Sequence, residues 1–241
     1  MDALQIRQAT LAGFDWGART AAIVAALWPE RCRALVAVSG YLIGNQEAGR
    51  APLPPKAELQ WWYQFYFATE RGRAGYEKYR DDFAKLIWQL ASPKWNFDDA
   101  TFARSARSLA NPDHVGIVVH NYRWRLGLAE GEPNYASLET RLAESPVITV
   151  PTITLEGDAN GAPHPDPSSY AKKFSGPYAH RLISGRHWTQ PAARGAEGIR
   201  RRRPRGGRQM NAVLRDAAQT GHTSSVPNPF QKYHSNPLQG T

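Results

Sequence analysis

The stretch LAGFDWGART, residues 11–20, decides the fold. An apolar run reaches Gly13, Asp15 stands at the centre of a G-x-D-x-G pattern, and Gly17 leads into an Ala-rich segment. A strand turning this sharply into a helix forces its central residue into strained backbone angles and crowds the chain on either side. Glycine suits both flanks because it has no Cβ to clash. A helix beginning at Ala18 aims its N-terminal amides and dipole back at the turn. That setting favours an ionised, nucleophilic Asp15 and offers donors to a developing oxyanion. The same aspartate can instead cap the helix, a common use of Asp.

Outward from this turn, QATLAG (8–13) reads as a short buried strand and ARTAAIVAALW (18–28) as a helix that Pro29 helps to end. ALVAVSG (34–40) is a second strand, apolar and β-branched. Strand, helix and strand in this order form the βαβ unit of a parallel sheet, so the expected class is α/β. The pattern then breaks. NQEAGRAPLPPK is a loop dense in Gly and Pro, and from about 57 to 145 the chain is helical and rich in aromatics. SPVITVPTITLEGDANG (145–161) resumes the sheet pattern, and YAHRLIS (178–184) is one more strand. A helical insertion therefore interrupts a parallel-sheet domain. The expected division is 1–43 sheet segment with the turn, 44–145 helical insertion, 146–184 further strands, and 185–241 a disordered tail.

A chain of 241 residues can bury a core as one domain, with or without an insertion. No apolar run approaches the roughly 18 residues of a membrane span. The N-terminal MDALQIRQAT has no signal-peptide pattern, so a cytoplasmic, membrane-free protein is expected. The single cysteine, Cys32, has no internal disulfide partner and reads as a small structural residue. The net charge of +9 is concentrated at one end: residues 186–241 hold nine Arg and one Lys against Glu197 and Asp216. That basic tail lacks aromatic interleaving, so no nucleic-acid partner is expected. A basic-tailed binding protein stands as an alternative.

Residues 12–40, AGFDWGARTAAIVAALWPERCRALVAVSG, resemble the α/β-hydrolase superfamily in the branch that holds epoxide hydrolases and haloalkane dehalogenases. The resemblance runs from about residue 3 to 184. It implies a partial α/β-hydrolase parallel sheet, a cap domain in the helical insertion, and Asp15 as nucleophile. WWYQFYF (61–67) resembles the motif of the first of two cap tyrosines and places Tyr63 there; HNYRWR (120–125) places Tyr122 as the second. A phenol can donate to the alkoxide formed as an epoxide opens. Trp16, next after the nucleophile, would serve the oxyanion hole, or the halide in a dehalogenase. TITLEGDANG (152–161) places Asp158 where the superfamily's acid orients a histidine, with Glu156 as the nearby competitor. ISGRHWTQ (183–190) offers His187 as that histidine; His114, His120 and His180 are further candidates. The implied reaction opens an epoxide to a diol through an aspartyl ester, with dehalogenation as the alternative. No metal or organic cofactor is expected, and the partners are a small apolar organic substrate and water. Substrate identity and oligomeric state stay open.

Both ends depart from the superfamily pattern. Only about ten residues precede the elbow strand, where the superfamily pattern expects several strands and a histidine-glycine loop, so the sequence reads as N-terminally truncated. After His187 comes PAARGAEGIRRRRPRGG, which has no apolar face to lay on a sheet. Shifting the codons of this region by one nucleotide permits AGIGHNLPQEAPKAFADAVREVAA, with a Gly-His pair and an amphipathic helix. A frameshift near residues 184–186 is therefore expected. It would make His187 an accidental neighbour of the intended histidine, and an inactive fragment a third alternative.

Overall fold

The computed structural model describes residues 1–44, 46–161 and 166–183; His187 and the basic tail lie outside them. Four strands form one parallel sheet in the order β1 (Ala9–Gly13), β2 (Cys32–Val38), β3 (Thr152–Gly157), β4 (Tyr178–Ile183). The first two are joined by α1 (Trp16–Leu27), which completes the expected βαβ unit. Ala18, Ala21, Ala22 and Ala25 are buried at helical spacing, so α1 lays a stripe of methyl groups on the sheet. Side chains this small let the helix approach closely. Leu35, Ile148, Val150 and Phe174 close the same core.

The β1–β2 register runs from Thr10↔Ala34 to Gly13↔Ala37, β2–β3 from Leu35↔Thr152 to Val38↔Leu155, and β3–β4 from Thr152↔Tyr178 to Gly157↔Ile183. Because all pairs are parallel, the loops that follow the strands emerge at one edge, where open α/β sheets place their ligands. β3 is shorter than the apolar run 145–161 suggested. Pro151 has no N–H to give a ladder, and upstream of it only an isolated bridge, Ile148↔Phe174, pairs with the sheet side. Within β3, the buried Thr154 hydroxyl is satisfied by the Tyr178 hydroxyl at 2.9 Å and His180 Nδ1 at 3.0 Å.

Between β2 and β3 the chain forms α2 (Gln46–Gly49), α3 (Pro55–Gln60), α4 (Trp62–Ala68), α5 (Glu70–Lys78), α6 (Arg80–Ala91), α7 (Asp99–Ala106), α8 (His114–Arg125) and α9 (Ala136–Ala143); α10 (Pro167–Tyr170) lies between β3 and β4. The inserted helices hold a second hydrophobic cluster, centred on Phe67, Tyr76, Val115 and Val119. Phe67 stacks on Tyr122 at 5.1 Å between centroids and meets Tyr76 edge-on at 5.0 Å. α9 is the exception, with Leu138 and Leu142 packed into the sheet cluster. Among the described residues no helix is long and apolar enough to cross a membrane.

Candidate active site

The turn at Phe14–Gly17 is built as the sequence demands. Asp15 has φ 49° and ψ −118°, a conformation that L-residues adopt only under constraint, costing about 1–3 kcal/mol. The constraint comes from the Gly17 N–H donating to the Phe14 carbonyl at 2.9 Å and the Arg19 N–H to the Asp15 carbonyl at 3.0 Å. Asp15 stands at the N-cap position of α1, yet its carboxylate makes no side-chain cap. Its side chain meets the Trp16 backbone N–H at the very start of the helix instead.

The two glycines do not share one role. A Cβ on Gly13 would sit 2.2 Å from the Gly17 carbonyl, whereas a Cβ on Gly17 meets no atom within 4 Å among the described residues. The expectation that both positions exclude a side chain is corrected: the steric demand falls on Gly13.

Asp15 lines a cavity of about 340 Å³ together with Tyr63 and Tyr122. Its surface is exposed by area, but protein crowds it on its other sides. That crowding raises the carboxyl above its ordinary 3.8, against the pull of Arg19, the Trp16 backbone N–H and Arg125. Desolvation therefore outweighs the helix terminus, the reverse of the direction expected from the dipole alone. α4 carries Tyr63 and α8 carries Tyr122, and their rings meet edge to face at 5.4 Å. Burial pushes both phenols up, and an interaction between them raises Tyr63 and lowers Tyr122. Trp16 lies on the same wall and is 46% exposed.

The remaining expected residues lie elsewhere. Asp158 follows β3 and is exposed; its backbone N–H donates to the Ile183 carbonyl at 3.2 Å, and it is not on the cavity wall, although Asn160 is. Glu156 is buried at the end of β3 and accepts from the Gly157 N–H at 3.1 Å and Asn160 Nδ2 at 2.8 Å. His180 is bonded to Thr154, and His114 Nε2 to the Tyr76 hydroxyl at 2.8 Å. His187 is outside the described residues.

The wall residues that were not anticipated include Arg19, Arg125, Tyr76 and Asn160. Two of them carried a readable signal. Arg19 is four residues after Asp15 on α1, and Arg125 three after Tyr122 on α8, spacings that put each on its neighbour's helix face.

The alpha/beta hydrolase fold family model matches residues 1–118. The crystal structure of a candidate epoxide hydrolase from Klebsiella pneumoniae is 59% identical, with TM-score 0.80 over 91% of this chain and 69% of that one. The chain belongs to the α/β-hydrolase family. It lies in the branch of this family that resembles epoxide hydrolases. Two further structures share the hydrolase fold at 16% identity: a candidate epoxide hydrolase from Pseudomonas aeruginosa, with TM-score 0.63 over 90% of this chain and 70% of that one, and a haloalkane dehalogenase loop variant from Bradyrhizobium elkanii, with TM-score 0.57 over the same shares. Among curated proteins no match is found.

Proposed function

We propose that this hydrolase opens a small, largely apolar epoxide to a diol through an ester on Asp15. The observation that carries the reading is the convergence of Asp15, Tyr63 and Tyr122 on one aromatic-walled cavity. An Asp15 carboxylate oxygen attacks an epoxide carbon, the carbon–oxygen bond of the ring breaks, and the electron pair leaves on oxygen. Tyr63 and Tyr122 donate to that oxygen as its charge develops, and a phenol proton leaves it as a hydroxyl. Water then adds to the ester carbonyl of Asp15 and the bond to the diol oxygen breaks, restoring the carboxylate and releasing the diol, while the remaining proton of the water returns to the tyrosinate. The Trp16 backbone N–H is proposed as a donor to the carbonyl oxygen in that step. Asp158 and His187 are proposed as the acid and base that activate the water.

The proposed division into 1–43, 44–145 and 146–184 draws support from the two hydrophobic clusters, one on the sheet and one within the inserted helices, with α9 of the insertion packing on the sheet side. A dehalogenase reading draws on Trp16, whose position on the cavity wall suits an indole N–H donor to a leaving halide.

The test separates the two half-reactions. The protein is incubated with styrene oxide, and the peptide containing Asp15 is weighed by mass spectrometry while diol is measured in solution. A covalent adduct on Asp15, absent in Asp15→Ala, supports the reading even where diol release is slow. No adduct and no diol would falsify it. Halide release from a bromoalkane without epoxide opening would favour the dehalogenase.

A further inference from the structure

The cavity wall carries more positive charge than the proposed reaction requires. Among the described residues its charged groups are one carboxylate, Asp15, and two guanidiniums, Arg19 and Arg125. The Arg125 guanidinium lies 5.7 Å from the Trp61 ring centroid and 5.6 Å from that of Tyr122. The two aromatic contacts hold the guanidinium in place, and a planar guanidinium carries its N–H donors around its edge. None of those donors makes a hydrogen bond or salt bridge among the described residues. Arg19 is held 5.1 Å over Trp16 and donates Nη1 to the Leu42 carbonyl at 2.5 Å. Both arginines and Trp16 also line a second cavity of about 210 Å³. Glu139 shares that second wall, and it forms no ion pair with either guanidinium within 4.0 Å.

Asp15 makes no ion pair with either guanidinium within 4.0 Å, but the field of both acts on it, and it offsets their charge only while it is a carboxylate. Attack on an epoxide turns it into a neutral ester, and the wall of this cavity then holds two half-buried cations and no carboxylate among the described residues. Unpaired charge in such a place is costly, and a ligand that brings a negative group relieves it.

We propose that Arg125 and Arg19 form an anion subsite, and that the substrate class is epoxides bearing a carboxylate, of which an aryl glycidate is the simplest case. The carboxylate lies against the in-plane N–H donors of Arg125, a geometry that a planar guanidinium matches with two parallel hydrogen bonds. The aromatic wall takes the apolar part, and the epoxide carbon faces Asp15. As a statement about substrate, this rests on the epoxide reading; as a statement about binding, it does not.

The experiment is a binding titration on the full 241-residue chain, followed by tryptophan fluorescence, since Trp16 and Trp61 flank the two guanidiniums. The probes are phenylacetate and its neutral isostere phenylacetamide. Phenylacetate is expected to bind about tenfold more tightly, as charged hydrogen bonds imply, with the advantage shrinking in salt. Arg125→Gln should cut the preference to about twofold or less, and Arg125→Lys should keep part of it, both with a cooperative thermal transition. Equal binding of the two probes, binding of neither, or an undiminished preference in Arg125→Gln overturns the anion subsite. Adduct formation is read separately. If phenylacetate binds through Arg125 and neither styrene oxide nor 3-phenylglycidate labels Asp15, the epoxide reading falls and the subsite stands. If both epoxides label Asp15 at the same rate, the carboxylated substrate class is overturned.

Discussion

A Cβ on Gly13 would lie 2.2 Å from both the carbonyl carbon and the carbonyl oxygen of Gly17, so β1 and the first turn of α1 touch through bare backbone. Nothing larger than hydrogen fits between them without moving the strained Asp15. Gly13→Ala should therefore destabilise the protein by about 3 kcal/mol or more, the range of severe backbone clashes. Gly17→Ala places a methyl in open space inside a helix, where alanine is favoured over glycine by up to about 1 kcal/mol. Urea melts of the two variants should move in opposite directions.

The tyrosine pair makes a sharper chemical prediction. Tyr63→Phe and Tyr122→Phe each remove one hydroxyl and keep the ring, so the stacking of Tyr122 on Phe67 survives. Each should slow adduct formation by roughly 10²-fold, the lower range for a positioned proton donor. The double variant should lose less than the product of the two. Thermal transitions close to that of the parent protein would show that the loss is chemical.

Burial raises the Asp15 carboxyl above its ordinary 3.8 in the folded state. The folded protein thus holds this proton more tightly than the unfolded chain does, and stability contributed by the group falls as pH rises from 3.8 through the folded value. Asp15→Asn should be more stable than the parent at neutral pH, the difference vanishing below pH 3.8. Adduct formation needs the carboxylate, so its acid limb should lie above 3.8, and Arg19→Gln, by removing a stabilising cation, should move that limb higher.

Asp158 and Glu156 are separable by half-reaction. Asp158→Asn should leave ester formation on Asp15 intact and slow ester breakdown, so that adduct accumulates. Glu156→Gln weakens a charged hydrogen bond to Asn160, now 2.8 Å long, and should cost about 1–2 kcal/mol of stability with both half-reactions present. Adduct accumulation in Glu156→Gln and not in Asp158→Asn would reverse the assignment.

For His114 the shift runs the other way. Burial pulls its imidazole below the ordinary 6.5, and Nε2 is hydrogen-bonded to the Tyr76 hydroxyl. The folded state binds this proton less tightly, so stability is lost as pH falls below 6.5 towards the folded value. His114→Gln should flatten that part of the stability profile measured by urea melts.

The βαβ unit was legible because the pattern there is uncontested: a short apolar run ending in glycine, an alanine stripe at helical spacing, and an apolar, β-branched run. The elbow was legible because a strained turn leaves glycines as its trace. Gly17 shows the edge of that inference, since a glycine in a motif does not say whose side chain it avoids. Tyr63 and Tyr122 sit almost sixty residues apart and were paired through the family resemblance; no spacing rule joins two helices across an insertion. Arg125 was missed because a cation beside Tyr122 reads as a solvated face until the opposing Trp61 is seen to cover it. The direction of the Asp15 shift was missed for a related reason. A dipole can be read from a predicted helix, whereas desolvation depends on walls contributed by other parts of the chain.

The inserted helices leave the sheet after Val38 and return at Thr152, on strands that are direct neighbours in register. Entry and exit stand side by side, so this segment can be exchanged as a cassette without re-registering a single strand pair. Asp15 and Arg19 would stay with the chassis, while Tyr63, Tyr122 and Arg125 would travel with the cassette. Selection on substrate preference could then proceed in one segment while the nucleophile, and the strained turn that holds it, stayed fixed.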